Sequence, residues 1–155
     1  NGSANCMSNV WPGDLVQSNA VFVLVCSTNQ SGDGYLLDGY NSSTKRNAII
    51  KLGGTSTQWD IYAGMDAAGY MVTNVYQVLT IYFNGSSSVV RTNGVQSGTG
   101  NVGSYPSDGV TVGARYSRDQ GYWKGAVVEL LFYSPAPANA DRDLIESYLK
   151  TRGGL

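Results

Sequence analysis

The stretch GYWKGAVVELLFYS, residues 121–134, carries the clearest fold signal in the chain. It opens with a glycine and two aromatic residues, and then runs into β-branched and large apolar residues that are typical of a strand. It also contains Glu129, one of only two glutamates in the sequence. A lone carboxylate in an apolar strand is either a catalytic acid or a structural group that needs a partner. The two interpretations imply different functions.

Runs of the same kind recur along the rest of the chain, separated by turns rich in Gly, Ser and Asn. Two Asn-Gly pairs, at 84–85 and 93–94, are typical of hairpins. The sequence therefore predicts one all-β domain over residues 1–155, an antiparallel β-sandwich, in which residues 1–18 show no strand pattern and stay poorly defined. The predicted strands lie within residues 19–28, 35–43, 47–54, 58–64, 74–85, 88–94, 109–117 and 125–134.

The C-terminal segment has a helical pattern and predicts one short α-helix at about 139–151. Acidic residues occur in its first turns and basic residues in its last, as the helix dipole favours, and Gly153-Gly154 provides a stop. So short a helix has no core of its own, and we expect its apolar stripe to pack over the sandwich. The stripe consists of Leu144, Ile145, Tyr148 and Leu149.

The composition excludes several function classes. The net charge is −1 and only 14% of the residues are charged, so the chain lacks the basic surface that nucleic acids or anionic membranes require. The longest apolar run, AVFVLV, is too short to span a bilayer. Histidine is absent, which excludes Ser-His-Asp, Cys-His and His-metal schemes.

Three segments resemble the laminin-G-like, concanavalin A-like jelly rolls (the lectin-glucanase type) of bacterial surface proteins and phage structural proteins. They are YLLDGYNSSTKRNAII (35–50), TIYFNGSSSVVRTNGV (80–95) and the run from VTVGARYS to the C-terminus (110–155). The resemblance covers residues 20–155 and implies a jelly-roll fold. It implies less about function, because this sandwich carries lectins, hydrolases and scaffolds alike. The chain departs from the family at Ala138, where a capping Ser is common, and at the N-terminus, where the family's opening strand is not recognisable.

A catalytic Glu129 would need a second carboxylate. Glycosidases hold two carboxyl groups about 5 Å or about 6.5–9.5 Å apart, and jelly-roll glucanases place them at alternate positions of one strand. Here those positions are Val127 and Leu131, so the strand offers no partner. We therefore expect a structural Glu129 that pairs with Arg115 of the preceding strand, and a chain that is not an enzyme. A glycan hydrolase or lyase is the alternative.

Loop aspartates are the candidates for a metal site. Asp33, Asp38 and Asp108 each lie next to glycine in a turn sequence. Concanavalin-type folds often bind Ca²⁺ through such carboxylates, but Asp-Gly pairs are also ordinary turn chemistry, and no segment has the spacing of a calcium loop. We prefer the turn interpretation and predict no cofactor, with Ca²⁺ as the weaker alternative.

Carbohydrate recognition uses aromatic rings for stacking and Asn, Asp or Arg for hydroxyl groups. Tyr40 and Asn41 lie in one loop and Arg46 lies just beyond it, whereas Tyr116 and Trp123 flank the turn SRDQG. These five residues are the predicted ligand-binding residues.

The predicted function is a non-catalytic binding or adhesion module, carbohydrate-directed and displayed outside the cell on a cell or virion surface. The alternative is a structural or assembly subunit with protein partners, such as a virion decoration, an appendage or an extracellular filament protein. An N-terminal strand missing from residues 1–18 would leave a sheet edge open for a homo-oligomer.

Two further features stay open at this point. Cys6 and Cys26 either form a disulfide or are unrelated thiols. Four Asn-x-Ser sequons occur, at Asn1, Asn29, Asn41 and Asn84, and they matter only in a secreted eukaryotic protein. The chain starts at Asn1 rather than Met, so we read it as a processed product or a fragment.

Overall fold

The computed structural model describes residues 5–54 and 57–155, which form two antiparallel sheets and one α-helix. The strands are β1 (Met7–Leu15), β2 (Asn19–Ser27), β3 (Gly34–Asp38), β4 (Ala48–Lys51), β5 (Gln58–Tyr62), β6 (Asp66–Tyr70), β7 (Tyr76–Phe83), β8 (Ser88–Thr92), β9 (Val95–Gly100), β10 (Ser107–Val112) and β11 (Gly125–Tyr133). A 3-10 turn (Gly85–Ser87) joins β7 to β8, and the helix, α1, spans Asn139–Gly153. The prediction of an all-β sandwich with one C-terminal helix is confirmed.

The two sheets stack face to face around the core. One has six strands in the order β1-β10-β3-β4-β5-β6, and the other has five in the order β11-β2-β7-β8-β9. Strand β2 is buried at every residue except Cys26 because it is covered on both sides. Its residues 21, 23 and 25 belong to the core between the sheets, and residues 20, 22 and 24 pack under α1. This double burial explains why its sequence is a continuous apolar run.

Helix α1 covers the outer face of the five-stranded sheet. Leu149 is completely buried there, and Ile145 packs against the same cluster. Leu144 and Tyr148 are 70% and 51% exposed, so only half of the predicted stripe contacts the sheet. No side chain caps the helix at Ala138, as the sequence led us to expect, and Gly154 ends it in the left-handed conformation.

A buried ion pair also ties α1 to strand β8. Arg91 donates two hydrogen bonds to the Glu146 carboxylate, at 2.8 and 3.1 Å. Glu146 is only 3% exposed, and its hydrogen bonds raise the pKa of Arg91. The helix is therefore held by charge as well as by apolar contact.

Strands β6 and β9 were not predicted, because their sequences, DAAGY and VQSGTG, are short of large apolar residues. Their small residues allow the edges of the two sheets to come close together. A Cβ atom at Gly69 would clash with the Val90 side chain, and one at Gly98 would clash with the Ala68 carbonyl oxygen. Packing, rather than strand propensity, determines these two sequences.

Strand β1 corrects the prediction that residues 1–18 contain no strand. It pairs with β10 at the edge of the six-stranded sheet, and its register shifts between Val10 and Leu15. The sequence pattern is obscured there by Pro12-Gly13, which is tolerated because β1 is an edge strand. The ring of Trp11 packs edge-on against Phe132, with 5.7 Å between the centroids, and joins β1 to the other sheet.

Strand β11 also differs from its prediction. Its pairing with β2 shifts between Val127 and Glu129, and such a bulge inverts the alternation of faces. Val127 packs against the core between the sheets, whereas Leu131 packs under α1. Glu129 lies opposite Leu24, on the α1 side, so Val127 does not share its face.

The predicted Glu129–Arg115 ion pair is wrong. Strands β10 and β11 belong to different sheets, so they do not form the hairpin that this pair required. The Glu129 carboxylate instead accepts hydrogen bonds from the Tyr148 hydroxyl, at 3.0 and 3.1 Å, and pairs with Arg152 at 2.9 Å. The partners of this carboxylate therefore come from α1.

Three smaller findings complete the fold. Cys6 and Cys26 are both free thiols, so the disulfide alternative is wrong. The sequon at Asn1 lies outside the described residues, and the other three sequon asparagines are exposed. None of the described helices has the length and the apolar character needed to cross a membrane.

Candidate functional site

Two loops meet beside the six-stranded sheet, one between β3 and β4 (39–47) and one between β10 and β11 (113–124). Their contact follows from the sheet order, which places β10 next to β3. The Arg118 guanidinium donates a hydrogen bond to the Tyr40 carbonyl at 2.6 Å. The Tyr116 backbone N–H donates one to the Asp38 carboxylate at 3.0 Å. The loops bring together four of the five predicted ligand residues, Tyr40, Asn41, Arg46 and Tyr116.

A buried ion pair lies at the centre of this junction. The Asp38 carboxylate accepts hydrogen bonds from Arg46 at 2.7 and 2.6 Å, and the two residues are 1% and 6% exposed. Burial raises the pKa of Asp38, against the opposing effect of Arg46 and two backbone N–H groups. Burial alone would lower the pKa of Arg46, but the hydrogen bonds and charge of Asp38 raise it.

Aromatic rings enclose the Arg46 guanidinium. Its carbon atom lies 4.9 Å from the centre of the Tyr62 ring, 4.8 Å from Tyr116 and 5.7 Å from Tyr35. Such cation–π contacts strengthen when water is excluded. Arg46 is therefore part of the framework of the junction, and little of its surface is open to a ligand.

Trp123, the fifth predicted ligand residue, is in the core. It is only 7% exposed and stacks on Trp59 with 5.6 Å between the ring centroids. This position corrects the prediction that Trp123 stacks on a ligand. The sequence was misleading because Trp123 follows a turn, where exposed residues are common, yet its backbone N–H bonds to the Gly113 carbonyl and its ring points inward.

The three candidate metal ligands are each used within the protein. Asp38 binds Arg46, Asp108 accepts the backbone N–H of Tyr40 at 2.8 Å, and Asp33 accepts that of Gly53 at 2.8 Å. Across residues 5–54 and 57–155, no three His, Cys, Asp or Glu residues form a group able to hold a metal ion. These contacts support the turn interpretation.

A cleft of about 320 Å³ opens at one end of the junction. Its walls come from the β2–β3 loop, the start of β3 and the β10–β11 loop. Backbone forms part of its lining at two glycines, and Gly121 has φ +64° and lies so close to the Tyr35 ring that a Cβ atom would clash. We call it the Arg115 cleft. It is lined by Gly32, Asp33, Tyr35, Arg115, Gln120 and Gly121.

Arg115 differs from Arg46 in having no carboxylate partner among the described residues. Its Nε is buried without a hydrogen-bond partner. Like Arg46, Arg115 contacts the Tyr116 ring, with its guanidinium carbon 5.1 Å from the ring centre. A buried donor without a partner is uncommon and costly, so this group is the most distinctive polar feature of the cleft.

The other polar groups of the cleft can also contact a ligand, although one Asp33 oxygen accepts the Gly53 N–H. Asp33 and Gln120 are exposed, and Tyr35 is half-buried. The cleft thus combines a guanidinium, a carboxylate, an amide and a phenol ring. Sequence reasoning considered Asp33 only as a metal ligand and Arg115 only as a partner of Glu129. Their proximity depends on the neighbouring positions of β3 and β10, which no local pattern reveals.

A carboxyl pair lies on the same sheet face as the cleft. In the strand register Asp60 is beside Ile50, and Ile50 is beside Tyr35. Burial, together with the charge of Asp66 and a hydrogen bond to it, raises the pKa of Asp60 to about 6.

No protein-family model and no curated protein matches the chain. Solved structures do match. A SAP-like pentraxin from Limulus polyphemus superposes with a TM-score of 0.64 at 12% identity, over 91% of this chain. Domains LG4-5 of mouse laminin α1 give 0.61 at 14% identity, over 83% of this chain. The chain has a laminin-G-like, concanavalin A-like jelly-roll fold.

A third jelly roll has almost the same extent as this one. The CBM40 of Ruminococcus gnavus IT-sialidase, solved with α2,3 sialyllactose bound, gives a TM-score of 0.64 at 8% identity, and the match covers 94% of this chain and 99% of that one. The chain spans 75% of the pentraxin and 38% of the laminin chain. The family resemblance seen in the sequence is thus confirmed at the level of the fold.

Proposed function

We propose that the chain is a non-catalytic binding module for carbohydrates, displayed outside the cell on a cell or virion surface, and that the Arg115 cleft is its binding site. The observation that carries the proposal is the composition of the cleft. Its guanidinium, carboxylate and amide are close together but are not paired with one another.

Sugars need this combination. Each hydroxyl group both donates and accepts a hydrogen bond, so a sugar site needs charged or amide groups of both kinds next to an aromatic surface. Asp33 accepts, Arg115 donates, Gln120 does both, and the Tyr35 ring provides the apolar surface. The cleft volume of about 320 Å³ is at the lower end of the range of about 300–1,000 Å³ for small-ligand sites. We therefore expect it to hold one or two sugar rings.

Fold neighbours lend support to a sugar ligand. Besides the sialyllactose-bound CBM40, they include domain 4 of the arabinanase AbnA from Geobacillus stearothermophilus with arabinotriose, matched over 89% of this chain at 14% identity and a TM-score of 0.63. Those ligands belong to those proteins. At such low identity the likeness concerns the fold, and the assignment of a sugar site here rests on the residues of the cleft.

The binding interpretation is also favoured over catalysis and assembly. Glu129, the candidate catalytic acid of the sequence, is engaged by Tyr148 and Arg152 of α1. The assembly alternative drew on the low charge, the small polar residues and a missing N-terminal strand, and β1 supplies that strand. The outer edge of β1 is one of the two edges where a second copy would add to the six-stranded sheet.

A glycan array with two matched variants tests the proposal. Gln120→Ala removes an exposed amide from the cleft, and Gln96→Ala removes an exposed amide from β9 in the other sheet. We expect the unmodified protein to bind at least one class of saccharide, Gln120→Ala to weaken that binding about tenfold, and Gln96→Ala to leave it unchanged. Equal loss in both variants, or no saccharide bound by the unmodified protein, would contradict the proposal.

A further inference from the structure

We infer that the saccharide recognised in the Arg115 cleft carries a carboxylate, and that Arg115 binds this carboxylate through its two-pronged guanidinium. The inference rests on the proposed function and identifies its ligand class. It starts from a difference between two arginines of the protein. Two guanidinium groups, those of Arg46 and Arg115, contact the ring of Tyr116, but only one of them has a carboxylate.

Arg46 shows how a carboxylate satisfies a guanidinium in this part of the protein. Its guanidinium is satisfied by the two oxygens of Asp38 in the planar, two-bond geometry that arginine and carboxylate prefer. Arg115 has the same kind of environment, an aromatic ring beside the guanidinium and a buried Nε, without the acid. An external carboxylate is the group that would complete it, through the two terminal Nη nitrogens, because the Nε atom is closed to solvent.

The loop that carries Arg115 is positively charged. Residues 113–124 contain Arg115, Arg118 and Lys124 but only one acid, Asp119, a net charge of +2 in a chain whose net charge is −1. Asp119 accepts a hydrogen bond from Ser117 and forms no ion pair with any described residue. An anion that approaches this loop therefore meets net attraction.

Acidic groups in and near the cleft determine how the sugar must lie. Asp33 lines the cleft, and Asp60 lies on the same sheet face as Tyr35, next to Asp66. A ligand with its carboxylate at Arg115 and its hydroxyl groups towards Asp33 and Gln120 satisfies both sides. A sugar acid has this arrangement in one ring. A sulfate also attracts arginine, but the flat two-oxygen edge of a carboxylate matches the guanidinium best.

Paired probes test the inference. Calorimetry measures the affinities for two pairs of acidic and neutral probes and for one sulfated probe. The pairs are 3′-sialyllactose with lactose and oligogalacturonate with its methyl ester, and the sulfated probe is lactose 3′-sulfate. We expect the unmodified protein to bind the better carboxylate probe at least tenfold more tightly than its neutral counterpart. In Arg115→Gln the ratio of the two affinities should fall to within about threefold. In Arg115→Lys, which keeps the positive charge but lacks the planar guanidinium, this ratio should take an intermediate value. Arg152→Gln, which removes an exposed arginine from α1, should leave it unchanged.

The outcomes separate the inference from the proposed function. Neutral probes bound as tightly as acidic ones, a preference that persists in Arg115→Gln, or a preference for the sulfate would overturn the inference and leave the sugar site in place. No saccharide bound by the unmodified protein would overturn both. If Arg115→Gln does not fold, two results still test the inference. They are the ratio of acidic to neutral affinity in the unmodified protein and the change of that ratio in Arg115→Lys.

Discussion

At the scale of single residues, the same chemistry has two roles in this protein. Arg46 and Arg115 both lie beside Tyr116, but Arg46 is buried against Asp38, whereas Arg115 faces the cleft. The sequence identified Arg46 as the ligand residue and Arg115 as the structural one. We propose the reverse, because Arg46 is buried against a carboxylate whereas Arg115 has no carboxylate partner among the described residues.

The first prediction concerns the buried pair. Asp38→Asn leaves the charge of Arg46 buried without its partner, which typically costs about 3–5 kcal/mol of folding free energy. The control, Asp14→Asn, breaks an ion pair with Lys45 in which both side chains are well exposed, and it should cost less than about 1 kcal/mol. Urea denaturation measures both. A loss below about 1 kcal/mol in Asp38→Asn would show that the pair does not hold the junction.

The second prediction concerns the pKa of Asp60. Since the pKa is about 6 in the folded protein and 3.8 without perturbation, the folded state binds a proton more tightly than the unfolded state. This group therefore stabilises the fold progressively as the pH falls from about 7 to about 4. A shift of about two units corresponds to about 3 kcal/mol at most, and partial exposure reduces this to roughly 1–2 kcal/mol.

Denaturation of Asp60→Asn at several pH values tests this linkage. The variant cannot ionise, so it should be more stable than the unmodified protein at pH 7.5, and the difference should shrink towards pH 4.5. Asp66→Asn removes the neighbouring charge and should move the window to lower pH. A constant difference between Asp60→Asn and the unmodified protein across this range would show that Asp60 titrates normally.

At the scale of elements, close packing accounts for what the sequence pattern missed. Strands β6 and β9 use glycine where the two sheets approach each other, and β1 contains a Pro-Gly interruption at an edge. Helix α1 shows the opposite case, because its apolar stripe was predicted correctly but is only half used. Glu146, which the pattern placed off the stripe, is buried by its contact with Arg91.

The third prediction tests how α1 docks on the sheet. Leu149 is fully buried and Leu144 is 70% exposed, although both belong to the predicted stripe. Leu149→Ala should cost about 2–4 kcal/mol of folding free energy because it leaves a cavity, and Leu144→Ala should cost less than about 0.5 kcal/mol. Thermal or chemical unfolding of the two variants makes the comparison. Similar losses would mean that the helix packs with a different face.

At the scale of the whole molecule, the sequence predicted the fold better than the site. Eight strand regions, the C-terminal helix and the jelly-roll resemblance could be recognised because each depends on local patterns. The Arg115 cleft could not, because it requires two segments that are distant in sequence, residues 32–35 and 115–121, to meet beside neighbouring strands. The error at Glu129 has the same origin, since its partners on α1 depend on which sheet β11 joins.

The central claim is that the Arg115 cleft binds a saccharide, and backbone amide NMR during titration with the best-binding saccharide tests it most directly. We predict that the largest shift changes occur at Gly32, Asp33, Tyr35, Arg115 and Gly121, with little change along α1 and β9. Shift changes confined to α1, to the outer edge of β1 or to any surface remote from these five residues would contradict the claim.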